Sequence, residues 1–229
     1  MIGKNKNKRK ESDFYETPEW CVDAITPKIM HHMLCVEKMG RFDHHLPTNR
    51  TFMSTAHIVD PGSGTGNIAI RLYRNMMKDT FAIGPVFHCI EIDTVIRHKM
   101  IERLQGEFGS LDDFTVIDDD FLKFNDYDKY NYCVGNPPYS LAQEFVTKAL
   151  EIADNVIFLL RIDFLGSLKR GKLYREKWGE PDIYVLERRP SFTGDGQTDS
   201  NNYAWFWWPK ERRVVNKYEP GKIHHLECP

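Results

Sequence analysis

Four consecutive residues, Asn136-Pro137-Pro138-Tyr139, combine groups suited to handling a planar amine. The nitrogen of such an amine is a poor nucleophile, because its lone pair is conjugated with the group that carries it. Two acceptors that take its two hydrogens draw the nitrogen toward tetrahedral geometry and free the lone pair. The Asn136 side-chain oxygen and the Pro137 carbonyl are candidates for those acceptors. Two successive prolines fix backbone torsions, so the carbonyl is held in place. Tyr139 adds a flat face on which a base can stack. Taken alone, the tetrapeptide also reads as a Pro-rich turn capped by Asn.

A second group of residues lies upstream. Asp60-Pro61-Gly62-Ser63-Gly64-Thr65-Gly66-Asn67 places three glycines at alternate positions, which permits a tight turn and close approach of a ligand to the backbone. A helical pattern follows at once, so helix amide groups face that turn. A dinucleotide fingerprint calls for glycine where Asn67 stands, and the Lys-Ser/Thr pair of a phosphate loop is absent. Asp60 suits a cationic ligand better than a pyrophosphate. Such a turn alone is also a plain strand-helix connection.

Two later strand ends strengthen the pattern. Glu91, in Cys89-Ile90-Glu91-Ile92-Asp93, can accept hydrogen bonds from both ribose hydroxyls of an adenosine. Asp118-Asp119-Asp120-Phe121 offers a carboxylate for an adenine amino group and an aromatic for a ring face. Each acid by itself is an ordinary surface residue. Three successive strand ends that close on an acid form a pattern.

These residues need a scaffold that brings strand ends together. Apolar runs at Ile58-Val59, Val86 to Ile92, Phe114 to Ile117, Tyr132 to Val134, Val156 to Leu160, Ile183 to Leu186 and Tyr203 to Trp208 alternate with segments of helical spacing. That alternation predicts an α/β fold, a mostly parallel seven-stranded sheet with helices on both faces. Ligands in such sheets bind at the carboxyl ends of the strands, where every motif above falls. A helix is expected after Thr17-Pro18, with Thr17 as N-cap and Pro18 in the first turn. Residues 31 to 56 read as a helix end plus a loop. Residues 1 to 12 form a basic arm, and 13 to 229 a single catalytic domain.

Composition narrows the function classes. The chain has 229 residues, 41% hydrophobic, which fits one globular domain of ordinary size. No apolar stretch reaches membrane-spanning length, and the basic, polar start lacks a secretory signal, so a cytoplasmic protein is expected. Five cysteines without a CxxC indicate neither a disulfide framework nor a zinc knuckle, and Cys89 and Cys133 read as buried hydrophobes. The adjacent pairs His31-His32 and His44-His45 cannot easily share one ion, so no metal is expected. The net charge of −2 does not announce a nucleic-acid binder. Basic groups at Lys4 to Lys10 and at Arg161, Lys169, Arg170, Lys172 and Arg175 are either solvated or available to a phosphate backbone.

From residue 13 to about 208 the chain resembles the amino-group DNA methyltransferase family. The glycine turn resembles its cofactor motif, and Asn136 to Tyr139 its catalytic motif. Phe14-Tyr15-Glu16-Thr17-Pro18 resembles the additional motif that contacts the methionine part of the cofactor. The order of cofactor motif, catalytic motif and recognition elements resembles the gamma class, which methylates N6 of adenine. Arg189-Pro190-Ser191-Phe192, with Thr198-Asp199 and Tyr203 to Trp207, is similar to small phage-encoded adenine methyltransferases.

The resemblance implies S-adenosylmethionine as cofactor and DNA as partner, with base flipping; target recognition is then left to loops 162 to 180 and 193 to 202, the basic arm, or the second subunit of a homodimer. It implies Tyr15 and Thr17 near the methionine moiety, and Asp60, Gly62 and Gly64 around its amino acid group. Glu91 and Ile92 fall at the ribose end, and Asp120 and Phe121 at the adenine. Asn136, Pro137 and Tyr139 become catalytic, and Phe192 packs on the flipped base opposite Tyr139. Larger relatives carry a separate recognition domain, for which this chain has no room. Enzymes that modify RNA adenine or protein glutamine share the tetrapeptide, and a non-catalytic nucleic-acid binder on the same fold is a further alternative.

Overall fold

The computed structural model describes residues 16–40, 56–78, 84–125, 130–192, 198–212 and 220–227. Tyr15, the basic arm and the His44-His45 pair lie outside the described residues.

The alternating pattern becomes one mixed sheet. In chain order the principal elements are α1 (Glu19–Gly40), β1 (His57–Pro61), α2 (Asn67–Lys78), β2 (Val86–Ile90), α3 (Thr94–Phe108), β3 (Phe114–Ile117) and β4 (Tyr130–Gly135). They continue with α4 (Ala142–Ile152), β5 (Ala153–Arg161), α5 (Leu168–Leu173), β6 (Asp182–Leu186), β7 (Tyr203–Trp208) and β8 (Ile223–Leu226). The strand order is β3-β2-β1-β4-β5-β7-β6-β8. The first five strands in that order pair in parallel, and β7 runs antiparallel between β5 and β6. The direction of the sheet order reverses at β1 and β4, whose carboxyl ends carry the glycine turn and the tetrapeptide.

The sheet has eight strands rather than the expected seven, because Ile223–Leu226 adds a parallel edge strand to β6. Its sequence, Ile-His-His-Leu, buries only Leu226, so it leaves almost no apolar signal. His224 instead stacks on Tyr184, with ring centroids 4.5 Å apart.

Two apolar layers clamp the sheet. One contains Ile25, Ile58, Ile70, Met100 and Trp205. The other contains Val59, Phe145, Phe158, Trp178 and Phe206. Alternate residues of β7 feed the two layers, as the period of a strand requires. All six of its residues are buried, which explains the unbroken aromatic run.

Local chemistry sets several boundaries. Asp93 caps α3 by accepting from the backbone N–H groups of Val95 and Ile96, and Gly109 closes it at φ 73°. The helix start near residue 18 differs from expectation. α1 begins at Glu19, and the Thr17 hydroxyl is engaged far away in the chain rather than capping it. The helix also continues through Pro27 to Gly40, which is the helix end read in residues 31 to 56. Among the described residues no helix is long and apolar enough to cross a membrane.

Candidate active site

The glycine turn sits directly on the sheet. Gly62, Gly64 and Gly66 have φ of 66°, 58° and 84°, values that side-chain-bearing residues rarely adopt. The Gly62 and Ser63 N–H groups donate to the Ile90 carbonyl at 2.8 and 3.0 Å, which ties the turn to the end of β2. Asp60, the residue before Pro61, is 2% exposed, and its Oδ2 has no hydrogen-bond partner among the described residues. Burial, and then the charge of Glu91, push its carboxyl up to about 8, against an opposing hydrogen bond from the Ala69 backbone. An ionised Asp60 therefore calls for a cation beside it.

Glu91 is fully buried at the end of β2. Its Oε2 accepts from the Gly64 N–H and its Oε1 from the Asp93 N–H, each at 2.9 Å. The carboxylate thus holds the glycine turn in place. Ile92 next to it is 52% exposed, an apolar surface at the mouth of the turn. Asp120 lies beyond β3, accepts from the Leu122 N–H at 3.1 Å and sits 3.3 Å from Lys123. Phe121 is buried and packs on Phe145 at 5.0 Å between ring centroids. Asp118, in the same run, is committed to a two-pronged ion pair with Arg97 at 2.6 and 2.7 Å.

β1 and β4 approach closely at this end. A Cβ on Gly135 would stand 3.0 Å from Pro61 Cδ and 3.3 Å from Asp60 Oδ1, so only glycine fits without displacement. The next residue, Asn136, donates from Nδ2 to Thr17 Oγ1 at 3.1 Å. Its Oδ1 is buried and has no partner among the described residues. Pro137 is buried. Tyr139 opens a single 3₁₀ turn before α4.

Thr17 joins the two motifs. Its carbonyl accepts from Asn67 Nδ2 at 3.5 Å, and neighbouring Glu16 accepts from the Thr65 hydroxyl at 2.7 Å. The segment ahead of α1 is thereby fastened both to the glycine turn and to the tetrapeptide.

The Tyr139 ring is enclosed on several sides. The Arg161 guanidinium lies 4.8 Å from its centroid. Tyr203 is 5.7 Å away and Phe192 6.5 Å, the latter edge-on at 65°. Burial raises the Tyr139 phenol well above its usual range, reinforced by Tyr203. Behind the ring, the Tyr203 hydroxyl donates to Asp199 at 2.7 Å and Arg161 Nε lies 3.3 Å from the same hydroxyl.

The structure therefore brings Thr17, Asp60, Gly62, Gly64, Glu91, Asn136, Pro137 and Tyr139 to one end of the sheet, with Phe192 against Tyr139. It buries Phe121 in the layer beneath. Sequence reasoning missed Asn67, and it assigned Arg161 to a surface basic group and Tyr203 to a plain strand. Arg161 closes β5 beside the end of β4, a position that offers the only local hint. Among the described residues no group of three or more His, Cys, Asp or Glu could hold a metal ion.

No family model matches the chain, and no curated protein matches it in sequence. Solved structures match its fold. A Listeria monocytogenes protein assigned to the class I S-adenosylmethionine-dependent methyltransferases is 13% identical, with a TM-score of 0.62 over 95% of this chain and 67% of that one. The methyltransferase subunit of a type I restriction-modification system from Streptococcus thermophilus is 14% identical, with a TM-score of 0.62 over 86% of this chain and 45% of that one. The N-terminal domain of human METTL16, solved with SAH, is 12% identical, with a TM-score of 0.54 over 81% of this chain and 70% of that one. At such identities the likeness is one of fold: the chain has the Rossmann-like class I methyltransferase fold.

Proposed function

We propose that the protein transfers a methyl group from S-adenosylmethionine to N6 of adenine in DNA. The observation that carries this reading is the Asn136 carboxamide. Its nitrogen is committed to Thr17, while its oxygen is buried and unpartnered at the carboxyl end of β4. An unsatisfied buried acceptor costs on the order of 1–3 kcal/mol, so its retention points to a donor that arrives from outside. An exocyclic amine is such a donor, and the Pro137 carbonyl takes its second hydrogen.

The cofactor fits the residues present. The orphaned Asp60 Oδ2 matches an ammonium group, and the open turn at Gly62 and Gly64 matches a ligand pressed against the backbone. In this reading Glu91 meets the ribose hydroxyls, Ile92 offers an apolar face, and Asp120, beyond β3, accepts from the adenine amino group. Phe121 supports that region from beneath. Thr17 and Tyr15 serve the methionine end. Bound here, S-adenosylmethionine supplies an electrophilic methyl group on sulfur.

A paired adenine cannot present N6 to Asn136, so the base must leave the stack. Tyr139 offers one stacking face. A base held between two rings needs about 7 Å between parallel faces. Tyr139 and Phe192 meet edge-on at 6.5 Å, so Phe192 must swing aside for the base to enter.

The test is transfer of tritiated methyl from the cofactor to DNA, RNA and protein. Label in DNA, recovered as N6-methyladenine, is expected. Label only in RNA or protein overturns the substrate. DNA binding without turnover on any acceptor overturns the enzyme.

A further inference from the structure

Behind Tyr139 lies a polar cluster that the transfer reaction does not itself use. We infer that Asp199 is a positioning residue for Tyr139, acting through Tyr203 and Arg161; the inference rests on the proposed role of Tyr139 as a stacking face.

The relay is continuous. Asp199 Oδ2 accepts from the Tyr203 hydroxyl at 2.7 Å, and Arg161 Nη2 lies 3.8 Å from the same oxygen. Arg161 and Tyr203 are register partners on antiparallel β5 and β7, so their side chains leave the sheet on the same face. Arg161 Nε also meets the Tyr203 hydroxyl at 3.3 Å. Held at those points, the guanidinium covers the Tyr139 ring at 4.8 Å and fixes how the ring is presented.

Asp199 is itself fixed. Its Oδ1 accepts from the Asn201 N–H and from Asn201 Nδ2 at 3.0 and 2.9 Å. Its own N–H donates to the Pro190 carbonyl at 3.1 Å, two residues before Phe192. The Phe192 ring lies 5.0 Å from Tyr203. One residue thus ties together β5, β7 and the segment that carries the second aromatic. The Arg161–Asp199 ion pair is long and partly exposed, so its attraction contributes little; what matters is the direction it imposes.

A purely structural role predicts something different, and two readouts separate the cases. The first is the ¹⁹F resonance of 3-fluorotyrosine placed at position 139 in the full chain. Asp199→Ala is expected to shift and broaden it, with cofactor Kd within about twofold of wild type; Asp199→Glu, which keeps both acceptor oxygens, is expected to restore it in part. An unchanged resonance overturns the inference.

The second is a double-mutant cycle on the nucleic acid that the wild type methylates. Asp199→Ala is expected to lower kcat about tenfold or more, and by less than about twofold in a Tyr139→Ala background. Equal losses in both backgrounds overturn the inference. If Asp199→Ala does not fold, Tyr203→Phe removes the hydroxyl that donates to Asp199, breaks the same relay and is read in the same way. A wild type without turnover on any nucleic acid defeats the proposed reaction, and the resonance still decides the positioning role.

Discussion

Thr17 and Asn136 stand 119 positions apart, yet the Thr17 hydroxyl oxygen accepts a 3.1 Å hydrogen bond from the Asn136 amide. This contact selects which end of the carboxamide faces the open side of the site. Removing it frees the amide to flip and to present two donors where the proposed reaction needs an acceptor. Thr17→Val is expected to lower kcat about tenfold to a hundredfold, and Thr17→Ser to stay near wild type. Asn136→Ala is expected to lose transfer almost entirely. In Thr17→Ser and Asn136→Ala, cofactor affinity measured by calorimetry should stay within about threefold, whereas Thr17→Val, which also alters the methionine end, should weaken it. A loss of affinity equal to the loss of rate counts against the assigned role.

Asp60 makes the protein sensitive to pH. Its folded-state carboxyl is pushed up to about 8, above its ordinary value of 3.8. Across that window the folded chain binds more protons than the unfolded one, so the slope of stability with pH is negative. The contribution is fully present below the unfolded pKa and is lost as pH rises through the folded one. Asp60→Asn should therefore flatten the fall in melting temperature of the ligand-free protein between about pH 5 and 8. An ammonium group beside Asp60 also requires the ionised form, so cofactor binding near pH 7 should release a proton. Calorimetry in two buffers of different ionisation enthalpy counts it, and a count of zero rules out that placement.

Gly135→Ala places a methyl group 3.0 Å from Pro61 and 3.3 Å from Asp60 Oδ1. Overpacking of this kind costs about 1–3 kcal/mol, and here it displaces the acid that precedes the glycine turn. A lower melting temperature together with weaker cofactor binding is expected. A variant with unchanged affinity would show that the β1–β4 approach does not set the site.

Glu91→Ala removes the acceptor for the Gly64 and Asp93 N–H groups at once. One buried and one part-buried donor left unmatched predict a loss of about 1–3 kcal/mol in denaturant unfolding. Hydrogen exchange localises the effect: the Gly64 amide should lose protection first.

Much of this was legible in local pattern. Seven strands announce themselves as short apolar runs, and the positive-φ turn is written in Gly62, Gly64 and Gly66. β8 was not, because two histidines interrupt its apolar residues and pairing with β6 rather than composition makes it a strand. Thr17 reads as a helix cap because capping is a local rule, but a partner in the tetrapeptide takes its hydroxyl. Arg161, Asp199 and Tyr203 were opaque for the same reason. Their meeting depends on the antiparallel insertion of β7, which no spacing along the chain specifies. The position of Asn136 at a strand end was readable, because the apolar run of β4 stops just before it and the prolines that follow cannot continue a strand.

The insertion of β7 between β5 and β6 has a consequence for how the chain emerges from the ribosome. β5, nine residues long with Val156 to Leu160 destined for the interior, remains a free sheet edge until Tyr203 to Trp208 have been synthesised. During that interval the nascent protein displays unpaired backbone beside aliphatic side chains, the pattern that recruits neighbouring strands. Chains truncated ahead of Tyr203 should therefore accumulate as aggregates, and chaperone demand should concentrate on the last stretch of translation.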